Sequence, residues 1–99
     1  MKILWTKLAL NRIEEIANYI AEDNPSASQK WKREVYQKVQ NLRSFPKMGR
    51  MVPEVNRDEV REIFYGNYRI IYQIEPKRVS ILTVRHGKQL LKRSEINDQ

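Results

Sequence analysis

VREIFYGNYRIIYQIEPKRVSILTVRHGK, residues 60–88, decides the fold class. Three runs rich in Val, Ile, Tyr and Phe are separated by Gly66-Asn67 and by Pro76-Lys77. Gly-Asn permits the positive φ that tight hairpins need, so the stretch predicts antiparallel strands over 60–65, 68–75 and 78–86. In the middle strand Tyr68, Ile70, Tyr72 and Ile74 point one way, and Arg69, Ile71, Gln73 and Glu75 the other. The first set has the composition of a core. With two-residue loops in both hairpins, Phe64 lies opposite Arg69, and Arg69 opposite Val84. Glu62, Phe64, Arg69, Ile71, Leu82, Val84 and His86 then share one face, less apolar than its reverse. A one-residue bulge would move His86 to the other side.

Upstream the periodicity changes. Lys2–Trp5 (KILW) is a short strand candidate, and Thr6 can cap a helix through its hydroxyl. Ala9, Ile13, Ile16, Ala17 and Ile20 form one helical stripe that ends near Asp23. Asn24-Pro25 starts a second helix, since Asn caps and proline is tolerated at the first helical position; Ser26 with Gln29 offers an alternative capping box. This helix runs to about Arg43 and buries Ala27, Trp31, Val35, Val39 and Leu42. So short a connection predicts an antiparallel helical hairpin. Residues 45–59 (FPKMGRMVPEVNRDE) follow neither period and read as a long loop, with Gly49-Arg50 as a turn and Arg50 as a hydrogen-bond anchor. The order is β-α-α-β-β-β: an α+β fold with a helical hairpin packed on one face of a small antiparallel sheet. One domain spans residues 1–91, and 92–99 form a polar tail.

Ninety-nine residues suit one modest core. With 40% hydrophobic and 31% charged residues the chain reads as soluble and globular. The absence of cysteine excludes disulfide and thiolate chemistry and points to a reducing cytoplasm; the single histidine argues against a transition-metal site. No cofactor is expected. The N-terminus is too briefly apolar for a signal peptide, and no window reaches the length of a membrane span. The net charge of +7 is unevenly placed: residues 26–53 carry seven basic side chains and one acidic. Such a surface attracts polyanions or acidic protein partners.

WTKLALNRIEEIANYIAEDNPSAS, then LRSFPKMGRMVPE, then VREIFYGNYRIIYQIEPKRVSILTVRHGKQL, resembles in order and spacing the RelE/ParE superfamily of bacterial type II toxin–antitoxin toxins. The Pro-x-x-Gly-Arg loop and the Tyr-Arg-Ile-Ile-Tyr strand leading to His-Gly are its most specific pieces. The resemblance implies a cytoplasmic toxin with a cognate, ParD-like or otherwise acidic-tailed antitoxin. It also implies one of two activities: ParE-like inhibition of DNA gyrase, or RelE-like, metal-free cleavage of mRNA on the ribosome. One scaffold hosts both, so residues must choose.

Metal-free RNA cleavage needs a base, an acid and cations around the phosphate. Arg61, Arg69 and Arg85 could supply charge, Glu54 or Glu62 a base, and His86 an imidazole, the side-chain type suited to general acid–base work. Against this, no tyrosine follows Tyr72, Glu62 and Arg69 can neutralise each other, and the Gly-Asn-Tyr-Arg-Ile and His-Gly-Lys stretches resemble ParE-like sequences more closely. His86 is then structural, at the end of the last strand. Trp5 and Trp31 read as core rather than as base-stacking platforms; Tyr65, Tyr68 and Tyr72 read as packing; Lys30, Lys32, Arg33 and Lys38 read as a solvated helix face. Arg85, Lys88, Lys92 and Arg93 are the candidates for contact with a large target. The preferred reading is a gyrase-binding toxin without catalytic residues. The alternatives are a RelE-like nuclease using His86, Arg69, Arg61 and Glu62, or a degenerate toxin acting only as a co-repressor with its antitoxin.

Overall fold

The helices begin where their caps place them. The Thr6 hydroxyl accepts from the Ala9 N–H at 3.2 Å, and α1 runs Lys7–Asp23. The same hydroxyl donates to the Ile81 carbonyl at 2.8 Å, shared toward Leu82 at 3.1 Å, so the cap also fixes the helix to the last strand. Asn24 ends α1 through its N–H to the Ile20 carbonyl, and its side chain accepts from Ala27 N–H to start α2, Pro25–Gln40. One residue thus turns the chain. Ser28, buried at the crossing, donates to the Ala17 carbonyl. A single 3-10 turn, Asn41–Arg43, prolongs α2 to the expected end.

The computed structural model describes residues 1–87 and 89–97, without the side chains of Arg93 and Asn97. Its strands are β1 (Lys2–Trp5), β2 (Arg50–Met51), β3 (Val60–Tyr65), β4 (Tyr68–Ile74) and β5 (Arg78–His86), in the order β1-β5-β4-β3-β2. The α+β class and the helical hairpin on one sheet face are as the sequence predicts. Two features differ: β1 pairs in parallel with β5, so the sheet is mixed, and the long loop contributes the fifth strand, β2. Neither departure has a local signature, because β1 meets β5 only after 72 intervening residues and β2 is two residues long.

The helical stripes (Ala9, Ile13, Ala17, Trp31, Val35, Val39) pack on Ile63, Ile70, Tyr72, Val79, Ile81 and Val84. The reverse face, expected to be less apolar, carries a second small core of Val52, Val60, Ile71, Leu82 and Ile96. The tail supplies part of its roof: residues 93–97 form a short helix, α3, with Ile96 buried.

The register of the first hairpin is as predicted, with Phe64 opposite Arg69. The second is not. Tyr72 pairs with Ile81 but Ile71 pairs with Thr83, so β5 holds one extra residue and Arg69 faces Arg85 instead of Val84. Leu82 and Thr83 both turn to the reverse face, while Ile81 and Val84 both reach the main core. A bulge of this kind inverts the alternation of everything beyond it. Val84 and His86 therefore leave the face that holds Glu62 and Arg69, and Arg85 joins it.

Candidate functional site

The reverse face concentrates the charge chemistry. Arg69 enters near the start of β4, the middle strand of the sheet, with only 5% of its side chain exposed, beside a Glu62 side chain with none. Its Nε donates to Glu62 Oε1 at 2.6 Å, and its terminal nitrogens form a two-pronged pair with Glu54 at 2.8 and 2.9 Å. A further bond reaches the Gln89 carbonyl at 3.2 Å. Glu62 takes a second guanidinium, Arg50 Nε at 2.7 Å, and the Leu91 N–H donates to Glu54. Two ions are taken from water here, and the penalty is offset because nearly every donor and lone pair is used.

The electrostatics fix the protonation states. Arg69 holds the Glu54 carboxyl at about 2, and the Glu54 bonds raise the Arg69 guanidinium above its ordinary value against the opposing effect of burial. Neither group is poised to exchange a proton near neutrality. The arrangement is a clamp: it ties the 46–59 loop and the chain after β5 to the sheet.

The loop is held from below as well. Tyr72 donates to the Pro46 carbonyl at 2.6 Å and accepts from the Gly49 N–H at 3.0 Å; burial raises its phenol pKa. A Cβ at Gly49 would lie 2.7 Å from the Tyr72 hydroxyl and 2.9 Å from the Glu62 carbonyl carbon, which is why this position excludes a side chain. Arg61 donates to the Gly49 carbonyl at 2.8 Å and to Asp58 at 2.6 Å. The Pro-x-x-Gly-Arg motif thus marks a backbone passage over a tyrosine, with Arg50 as the anchor expected of it.

His86 stands on the helix side. Its ring packs edge-on against Tyr68 at 5.7 Å, and Tyr68 packs on Trp31 at 5.3 Å, a row of aromatics that closes the end of the sheet. The predicted grouping of Glu62, Arg69 and His86 on one face is corrected by the bulge: the first two are paired with each other, and the third lies across the sheet. Of the expected target-binding residues, Arg85 is largely buried, 3.3 Å from Glu95 and donating to the Leu90 carbonyl. Lys92 is exposed. Lys88 and the side chain of Arg93 lie outside the described residues.

Two participants escaped the sequence reading. Glu95 is buried, accepts from the Thr83 hydroxyl at 2.8 Å and lies 3.8 Å from Arg12 Nε. The lone Ile96 beside it, in an otherwise polar tail, was the available sign that this segment docks. Arg12 and Arg85 also border a cleft of about 320 Å³ with Tyr19, Tyr68, His86 and Gln89. Among the described residues no three His, Cys, Asp or Glu side chains converge as metal ligands, and no helix is long and apolar enough to cross a membrane.

Comparison with known proteins agrees with this architecture. The family description "ParE toxin of type II toxin-antitoxin system, parDE" matches residues 3–91. The chain is 34% identical over 90 residues to a protein of Sinorhizobium fredii named "Putative toxin Y4kP", covering 89% of this chain and 90% of that one. Among solved structures it resembles a chain of the chromosomal ParDE toxin–antitoxin system from P. aeruginosa, with a TM-score of 0.73, 19% identity, and coverage of 89% and 97% of the two chains.

Proposed function

The chain belongs to the ParE toxin family of type II toxin–antitoxin systems, and we propose that it arrests growth by binding DNA gyrase, without catalysing a reaction, until a cognate antitoxin neutralises it. The observation that carries this reading is the bulge in β5. In-line attack by a 2′-hydroxyl needs a base at the attacking oxygen and an acid at the leaving oxygen, both free and both within reach of one bound phosphate. Here the Arg69–Glu62–Glu54 network is consumed by its own ion pairs, and His86 is packed on Tyr68 behind the sheet. What remains for function is surface. The end of the sheet beyond His86, with exposed Lys92 and the neighbouring Lys88 and Arg93 of the sequence, is the proposed contact for gyrase. Arg85 supports that segment from beneath through Glu95 instead of touching the target.

The test is a supercoiling assay with purified gyrase and the purified chain. Loss of supercoiling, with DNA synthesis collapsing before protein synthesis in pulse-labelled cells, is the expected outcome. Undisturbed gyrase together with rapid mRNA cleavage on ribosomes would transfer the function to the nuclease reading.

A further inference from the structure

The two helices divide the charge of their layer unequally. The solvent-facing positions of α1 include Glu14, Glu15, Glu22 and Asp23, whereas those of α2 after its proline are Ser26, Gln29, Lys30, Arg33, Gln37 and Gln40. At helical spacing these six fall in one stripe roughly 100° wide and about 21 Å long. The 3-10 turn carries the exposed surface onward through Asn41 and Arg43. No carboxylate lies on the stripe. Glu34, the one acid of α2, sits half-buried on its flank, 3.8 Å from a Lys30 whose side chain stays 68% exposed. Lys32 is drawn off this face to Glu14 at 2.6 Å. Among the described residues no carboxylate is within ion-pairing distance of Arg33 or Arg43. A merely solvated helix face interleaves both signs; this one offers cations and neutral hydrogen-bond donors only.

That composition selects the partner. A protein interface needs an apolar centre to bury, and an interfacial membrane helix needs an apolar face; the stripe supplies neither. A second copy of this chain would bring the same cations and a net charge of +7, which opposes self-association. Single-stranded nucleic acid is held largely by stacking on aromatic rings, and no aromatic side chain lies on the stripe. Duplex RNA closes its major groove to a helix, whereas the major groove of B-form DNA admits one. Arginine, lysine, glutamine and serine are the side chains that bond phosphate oxygens.

We propose that the outer face of α2 lies along the major groove of duplex DNA, with Lys30, Arg33 and Arg43 on phosphates and the glutamines donating beside them. This contact goes beyond the gyrase reading and does not depend on it, since it is made by the toxin alone and on the helix side of the sheet.

The experiment is fluorescence anisotropy of a mixed-sequence DNA duplex titrated with the full chain over a series of salt concentrations. Three phosphate contacts predict that log K falls against log salt with a slope of about −3. Arg33→Gln should reduce that slope by about 1, and Arg33→Glu should weaken binding by ~10-fold or more at about 50 mM salt. Arg57→Glu, the same charge change in the loop beside the second core, should stay within about 2-fold of the wild type. Arg33 is a solvent-facing helix position, so an unchanged thermal unfolding midpoint separates lost docking from lost folding. No duplex binding at about 50 mM salt would overturn the proposal. So would equal weakening by Arg33→Glu and Arg57→Glu, which would make net charge the cause. Tighter binding of single-stranded RNA or of anionic vesicles than of the duplex would overturn it as well.

Discussion

Replacing Arg69 with methionine keeps the aliphatic stem and deletes the charge at the centre of the clamp. The change removes the 2.6 Å bond to Glu62, both prongs to Glu54 and the bond to the Gln89 carbonyl. Stripping one partner from a buried ion pair costs about 3–5 kcal/mol. Arg50 still neutralises Glu62, and Glu54, near solvent, falls back to water with only about 1 kcal/mol at stake. The expected loss is therefore at the lower end, about 3 kcal/mol. Urea unfolding followed by the fluorescence of Trp5 and Trp31 reads it directly, as a fall in midpoint of roughly 1–3 M. Acidity supplies a second handle. The Glu54 pKa is lowered from 4.5 to about 2 in the folded chain. Between those values the unfolded chain binds more protons, so the stability Glu54 contributes is intact above 4.5 and is lost as pH falls toward 2. Wild type should lose stability over that window faster than Arg69→Met, and the gap between them should narrow. Adding Glu62→Leu to Arg69→Met should cost much less than the sum of the single changes, a coupling of about 2 kcal/mol or more. A loss below about 1 kcal/mol, a gap indifferent to pH, or simple additivity would show that the pair behaves like a surface contact.

Other consequences follow from the same geometry. Tyr72→Phe removes two hydrogen bonds to the loop and should destabilise by about 1–3 kcal/mol, with amide exchange at Gly49 accelerated. Gly49→Ala forces a methyl group against Glu62 backbone and the Tyr72 hydroxyl, and a loss of about 1–3 kcal/mol in thermal unfolding is expected; unchanged stability would mean that the loop can lift off the sheet. Thr6→Ala deletes a helix cap that also holds β5, so its cost should reach about 2 kcal/mol, the upper end for caps. His86→Gln should leave growth arrest intact, measured by induction in a sensitive strain; abolished toxicity in a stably folded variant would count against the binding account.

The legible part of this protein is the part written in periodicity. Alternation in 68–75 fixed which side chains face the helices, and the spacing of Ala9, Ile13, Ala17 and of Trp31, Val35, Val39 fixed the faces that cover them. The caps at Thr6 and Asn24 were equally plain, since capping is a bond between residues three apart. The Glu62–Arg69 pair also followed from the sequence, across a hairpin whose turn leaves little choice of register.

The bulge did not. VSILTV is apolar on both faces, so shifting half of β5 by one residue exchanges one buried side chain for another and leaves no trace in the hydrophobic pattern. Only the simultaneous demand of two cores, one wanting Ile81 and Val84, the other Leu82, places the extra residue. The same holds for Glu54, Arg12 and Glu95, whose partners are distant in sequence and met only when loop and tail closed on the sheet. Local bonding rules write elements and faces into the chain itself; long-range packing alone decides which charges meet, and so which side of the sheet His86 occupies.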